Sequence, residues 1–152
     1  MESEKLDAFK VIGISVRTTN ENSKSAKDIA ELWAKFMKEG IADKIPNKID
    51  NSIYSIYTEY ESDYMKPYTT ILGCKVQNLD NIPEGMIAKE INTGNYVKYT
   101  AKGDLTKAAV YNEWVKIWQS DLNRAYSADF EIYGEKAQNP SDAEVDIFVG
   151  VD

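Results

Sequence analysis

The chain contains no histidine, a single cysteine and four prolines, and it has no long apolar run. Without histidine there is no imidazole base, no Ser-His triad, no histidine-ligated haem and no access to most zinc sites. The lone Cys74 excludes an internal disulfide and a CxxC redox pair, and a free cysteine of this kind is expected in the core. Nothing approaches the ~20 apolar residues of a membrane span. Met1 to Lys5 is charged and lacks the apolar stretch of a signal peptide, so a cytoplasmic protein is the default expectation. Basic residues are in the minority, 18 against 25 acidic, for a net charge of −7. That argues against direct contact with nucleic acid, which wants a basic face, and it is compatible with attraction to cations. No phosphate-cradling loop, G-x-S-x-G elbow or H-E-x-x-H motif occurs. The acids Glu59, Glu61 and Asp63 match no calcium loop, and neither a metal nor a cofactor is called for.

What the chain has instead is aromatic residues: ten Tyr, three Trp and four Phe in 152 residues. They favour an aromatic-rich interior or a cavity. The length suits one domain, residues 1–152, or two small fused halves. About 70% of the unfolded surface can be buried at this size.

Two words recur in the same order about half a chain apart. Tyr54-Ser55-Ile56-Tyr57-Thr58-Glu59 and Phe130-Glu131-Ile132-Tyr133-Gly134-Glu135 both read aromatic-x-Ile-Tyr-x-Glu. Trp33-Ala34-Lys35-Phe36-Met37 and Trp114-Val115-Lys116-Ile117-Trp118 share a Trp, small apolar, Lys, apolar, large apolar pattern. Two matches in register predict a duplication, with pseudo-repeats at about 1–77 and 84–152. Strands are expected at Leu6 to Arg17, with a bend at Ala8 and Phe9, and at Ser52 to Glu59, Tyr68 to Val76, Met86 to Ile91, Tyr96 to Ala101, Phe130 to Glu135 and Val145 to Val151. Helices are expected from Ser25 to Glu39, with a Ser25/Asp28 capping box and Gly40 as a stop, and from Leu105 to about Ser120, capped by Asp104. Their apolar stripes are Ile29, Leu32, Trp33, Phe36 and Met37 in the first, and Val110, Trp114, Ile117 and Trp118 in the second. Consecutive strands joined by short loops are read as antiparallel pairs. The fold class is α+β: two related halves, each unable to cover its own apolar face, paired about a pseudo-two-fold axis with a central cleft.

The two strand words differ at one informative position. Where the first has Ser55, the second has Glu131. A carboxylate buried and unpaired in a strand costs several kcal/mol, so Glu131 is either solvated or serves a ligand. By the period of two, Glu131 and Tyr133 share one face and Phe130 and Ile132 the other; if the helix covers the Phe130/Ile132 face, Glu131 lines the opposite surface. Desolvation raises the pKa of such a carboxyl and a bound cation pulls it back. An aromatic wall with one carboxylate suits a flat organic cation. Tyr57, Tyr60, Tyr64 and Tyr68 cluster around the first hairpin, and the tryptophans are either core residues or ligand platforms.

Several segments together resemble a known family. Tyr57 to Tyr64 and Tyr68 to Val76 look like its central hairpin. Ile82-Pro83-Glu84-Gly85-Met86, Gly94-Asn95-Tyr96-Val97 and Ala101-Lys102-Gly103 look like its midsection. Trp114 to Trp118, Asp129 to Tyr133 and Val145 to Val149 complete the pattern. The chain is similar to the gyrase-inhibitor-like small-molecule-binding domain, also found as the effector-binding domain of AraC- and MerR-type bacterial regulators. The resemblance implies tandem βαββ halves of the SHS2 type around a central ligand cavity. It implies an acid, here Glu131, that pairs with lipophilic cations, with Tyr68 and Trp114 beside it. Tyr57, Tyr133, Trp118, Trp33 and Phe36 complete the expected ligand-binding set. The DNA-binding helical domain of the regulator members is not expected ahead of residue 1, and in this the chain resembles the stand-alone members. Two other functions stay open: a hydrolase opening a strained ring in genotoxic compounds, with Glu131 as general base and Tyr68 or Tyr133 orienting the substrate, and a protein-interaction module whose partner is a gyrase subunit or a regulator.

Overall fold

The computed structural model describes residues 2–63 and 65–152, so the expectation for Tyr64 lies outside the described residues. Eight strands form one antiparallel sheet: β1 Glu4–Leu6, β2 Phe9–Thr18, β3 Ile53–Thr58, β4 Tyr68–Val76, β5 Ile87–Ile91, β6 Gly94–Gly103, β7 Arg124–Tyr133 and β8 Ala143–Val151. The helices are α1 Lys24–Lys38, α2 Ile41–Lys44 and α3 Ala109–Trp118. No helix among the described residues is long and apolar enough to cross a membrane.

The sheet order is β1-β6-β8-β7-β3-β4-β2-β5. It reads the same from either end once each strand of the first half is exchanged for its counterpart in the second. The duplication is therefore a pseudo-two-fold axis through the sheet, between β3 and β7. On that axis Ser55 lies directly opposite Glu131. The two recurring words are neighbouring strands.

The expected pairing fails in one respect. β1 does not pair with β2, nor β5 with β6. Instead β1 pairs with β6 and β5 with β2, so each half lends its first strand to the other. The short connections turn the chain between edges rather than closing hairpins, and the Ala8 amide ties them by donating to Thr93 Oγ1 at 3.0 Å. The β3–β4 hairpin forms as expected.

The sheet curls around one of its faces. Phe9 of β2 and Tyr96 of β6, far apart in strand order, both touch Phe130, with ring centroids 5.1 and 5.3 Å away. Tyr54, Ile56, Ile71 and Phe148 fill the same layer. The Phe130/Ile132 face is thus closed by the sheet itself. The helices lie on the opposite face, the one that carries Glu131, so the condition that a helix covers the Phe130/Ile132 face is not met. Aromatic side chains on five strands supply enough volume to close that layer without a helix.

The helices cover the two wings and leave the centre open. α1 presses Leu32 and Phe36 onto Ile12, Ile14, Leu72 and Cys74. α3 presses Trp114 and Ile117 onto Ala101, Val145, Ile147 and Val149. Both helices start without the capping expected. The residue before α1, Ser23, has a left-handed backbone and no side-chain cap, and Asp28 instead accepts from the Thr18 hydroxyl at 2.8 Å. Asp104 caps a single 3-10 turn, Leu105–Lys107, by accepting from the Thr106 amide at 2.9 Å; α3 begins only after Ala108, whose φ is 63°. Gly40 does stop α1, at φ 59°, and the chain then makes the short α2.

One glycine pair sets the spacing of the first wing. Gly13 and Gly73 are register partners in β2 and β4. A Cβ on Gly73 would lie 2.3 Å from the Ile12 carbonyl oxygen, and one on Gly13 would lie 2.0 Å from that of Leu72. Neither backbone can yield without breaking the ladder. Gly73→Ala is expected to cost about 3 kcal/mol, at the upper end for overpacking, and to lower the Tm by about 6–12 °C. Thermal unfolding followed by circular dichroism checks this; an unchanged Tm would mean that the two strands can move apart.

Candidate functional site

Because α1 sits over one wing and α3 over the other, β3 and β7 form the floor of a cleft between the helices. The cleft holds a cavity of ≈ 480 Å³. Its α1 wall is Ala26, Ile29, Ala30 and Trp33, a strip one step around the helix from the Leu32/Phe36 core strip. Small residues at 26 and 30 leave the room that Trp33 then bounds. Its α3 wall is Val110, Tyr111, Trp114 and Trp118. The end nearest the first hairpin is closed by Tyr60 and Tyr68, whose hydroxyl donates to Asn20 Oδ1 at 2.7 Å.

Glu131 lies on the floor and is 1% exposed. Its carboxylate accepts from the Trp114 indole N–H at 2.6 Å and the Tyr57 hydroxyl at 2.8 Å, both on Oε2, and from the Tyr133 hydroxyl at 2.6 Å on Oε1. All three donors are neutral. Burial pushes the Glu131 carboxyl above its ordinary value of 4.5, and the donors from Tyr133, Trp114 and Tyr57 only partly offset this. Burial, and then the nearby carboxylate, hold the phenols of Tyr57 and Tyr133 well above 10.0, so they remain donors. Ser55, the pseudo-symmetric equivalent, is fully buried beside Glu131, and its hydroxyl is 3.3 Å from that of Tyr57. A second acid there would stand directly opposite the first across the strand pair, where like charges destabilise. The axis has room for one carboxylate.

Rings surround this group at close range. Trp114 meets Tyr57 edge-on at 5.7 Å, Tyr57 meets Tyr68 at 6.0 Å, and Trp33 meets Tyr133 at 4.9 Å. Trp118 tilts against Trp114 at 6.4 Å. Seven of the eight expected ligand-binding residues, Glu131, Trp114, Tyr68, Tyr57, Tyr133, Trp118 and Trp33, therefore line one cavity. Phe36 does not. It is 1% exposed and packs on the sheet, because α1 turns its 32/36 strip inward and its 29/33 strip to the cleft. Met37, placed on the same apolar stripe, is 63% exposed.

Sequence reading missed one charged lining residue. Arg124 lines the cavity at its Tyr60 end, held by an ion pair with Asp129 at 2.7 Å. β7 begins six residues before the expected Phe130, and a register shift separates Arg124 from Asp129. The shift breaks the alternation that would have revealed the strand. Tyr60, expected only as one of the tyrosines around the first hairpin, donates to the same Asp129. Tyr111, Val110 and the small α1 residues carried no signal beyond helical spacing.

Comparison with known proteins agrees with this architecture. Residues 3–151 match the family of integron-associated effector binding proteins. The putative transcriptional regulator protein YobU of Bacillus subtilis (strain 168) is 27% identical over 150 residues, which covers 96% of this chain and 94% of that protein. The crystal structure of an integron cassette protein from the mobile metagenome of Vibrio cholerae superposes with a TM-score of 0.77 at 29% identity, covering 99% of this chain and 95% of that one. SAV2435, solved bound to tetraphenylphosphonium, shares the fold with a TM-score of 0.80 at 16% identity, over 99% of this chain and 93% of its own. With a sheet, a cleft and a family match that all run the length of the chain, the protein belongs to the integron-associated effector-binding family and is a gyrase-inhibitor-like small-molecule-binding domain.

Proposed function

We propose that the cleft binds small, amphipathic, aromatic cations and that Glu131 is their counter-charge. One observation carries the reading: a fully buried carboxylate whose three partners are two phenols and an indole, none of them charged. The donors hold the anion in place without neutralising it. A cation entering between Trp33, Trp114 and Trp118 would gain ring contact of ~0.5–2 kcal/mol per face and the field of the carboxylate, which low polarity leaves little screened. Contact with the oxygens is not required, since the indole and phenols relay part of the charge to the cavity wall. Walls made of ring faces discriminate weakly between flat cations, which suits a range of lipophilic compounds rather than one. The tetraphenylphosphonium held by SAV2435 is a lipophilic aromatic cation of this kind and supports the choice of probe.

Glu131→Gln keeps the volume and removes the charge. At an effective dielectric of about 20, two charges about 6 Å apart interact by about 3 kcal/mol, so the affinity for tetraphenylphosphonium is expected to fall about 10–100-fold at neutral pH. Quenching of tryptophan fluorescence measures it, and an undiminished affinity would remove Glu131 from the role of counter-charge.

The raised carboxyl also gives a pH signature. In the unfolded chain Glu131 ionises near 4.5, while in the folded protein it holds its proton to higher pH. Over that interval the folded state binds more protons, so stability declines as pH rises through the folded pKa. The wild type is expected to lose stability relative to Glu131→Gln as pH increases above 4.5, and a bound cation should reverse that loss. Urea unfolding of both proteins across this range, with and without tetraphenylphosphonium, measures the difference; parallel pH profiles would show that Glu131 titrates normally.

A further inference from the structure

The cleft does not end at Trp33. A second, open cavity of ≈ 950 Å³ shares Trp33 and Tyr133 with the first. The same elements run through both. On α1 the strip of Ala30 and Trp33 passes on to Met37, and on β7 Glu131 is followed on the same face by Tyr133. Ile53, Leu105 and Pro140 add to the apolar lining of the second cavity. Its charged lining residues among those described, Asp50 and Glu135, are acidic and exposed to water, so nothing charged there repels a cation. The contact of Trp33 with Tyr133, edge-on at 4.9 Å, stands between the two spaces.

Trp33 is the pseudo-symmetric counterpart of Trp114, and the two are held differently. Trp114 meets Tyr57 edge-on at 5.7 Å, and Trp33 meets the equivalent tyrosine, Tyr133, in the same way. Trp114 is also latched, because its N–H donates to Glu131. The matching place for Trp33 is occupied by Ser55, whose hydroxyl lies against Tyr57 instead. The Trp33 indole makes no hydrogen bond to any described residue, so packing alone restrains it. It is half-buried where Trp114 is 8% exposed. Ala30, one turn before it, is small, and Met37, one turn after it, is unbranched and exposed, which leaves the ring room to turn. The asymmetry that puts one acid on the axis thus also unlatches one of two equivalent tryptophans.

We propose that Trp33 is a movable partition and that the second cavity is a tail subsite. With the indole turned aside, the cleft takes elongated amphipathic cations, the charged head beside Glu131 and an alkyl chain lying past Trp33 against Met37, Ile53 and Leu105. This rests on the reading of Glu131 given above and adds where the rest of the ligand lies. Glu131 and Tyr133 are two residues apart along one strand face, about 7 Å. A butyl chain therefore stays in the first cavity, and a dodecyl chain extends into the second. Each methylene that leaves water for that apolar lining adds to the affinity.

N-Butyl-, N-octyl- and N-dodecylpyridinium, titrated by calorimetry below their micelle concentrations, test the subsite. The methyl carbon-13 signal of Met37, assigned with Met37→Leu, reports where the chain lies. The wild type is expected to bind the dodecyl cation at least about tenfold more tightly than the butyl, with the octyl between them. Dodecylpyridinium should move the Met37 signal and leave those of Met65 and Met86 in place, and butylpyridinium should move none of the three. Trp33→Ala removes the partition and one ring face. There the butyl cation should weaken and the dodecyl-to-butyl ratio should rise about tenfold further, with Trp33→Phe intermediate. In Glu131→Gln all three cations should weaken by one factor, with the chain-length ratio and the Met37 shift intact. Equal affinities across the series in the wild type, or a Met37 signal that dodecylpyridinium leaves unmoved, would overturn the tail subsite. A ratio unchanged in both Trp33 variants would overturn the partition. Unweakened binding of all three by Glu131→Gln would instead overturn the counter-charge reading and leave the tail subsite standing.

Discussion

The architecture depends on one buried charge. Glu131 lies on the pseudo-two-fold axis of an eight-stranded sheet, and three neutral donors from β3, α3 and β7 converge on it. Those bonds join the floor of the cleft to one of its walls. Trp114 is fixed from α3 onto the sheet by its indole N–H, and its ring then positions Arg124. Tyr57 and Tyr133 flank the acid from two adjacent strands, and Tyr133 in turn props Trp33 of the opposite helix. A buried carboxylate without a cationic partner is a cost to the fold. In the proposed reading a ligand supplies the missing charge.

The duplicated fold makes that site possible. Each helix covers the apolar face of its own half, so the strands that meet on the axis are left without a helix above them. The other face needs none, because Phe9, Tyr96, Phe130 and Phe148 close it from within. Exchange of β1 and β5 between halves ties the wings together at their edges. A symmetric frame thus holds an asymmetric site: Ser55 on one side of the axis and Glu131 on the other.

Much of this could be read in the sequence. The repeated strand word located β3 and β7, and the mismatch at Ser55 and Glu131 marked the one position where the two strand words differ in charge. The helix words located α1 and α3. What remained hidden has physical causes. Alternation along β7 separates Glu131 from Phe130 but cannot say which face a helix covers, and the aromatic layer around Phe130 mimics a helix-covered face. The stripe from Ile29 to Met37 is wider than one contact surface, so spacing alone did not divide Phe36, in the core, from Trp33, in the cleft. The partner exchange of β1 and β5 leaves no local signal, since the turns would serve a hairpin equally well. Arg124 and Asp129 sit across a bulge that erases the strand pattern, and their pairing is a tertiary fact.

The claim that Glu131 is a buried anion awaiting a cation is tested most directly by observing its own titration. Carbon-13 NMR of the side-chain carboxyl of glutamate-labelled protein, with Glu131→Gln providing the assignment, reports its protonation with and without saturating tetraphenylphosphonium. The account predicts a midpoint above 4.5 in the free protein and a clear fall in that midpoint when the cation is bound. A midpoint near the ordinary value, or one that does not move on binding, would contradict it.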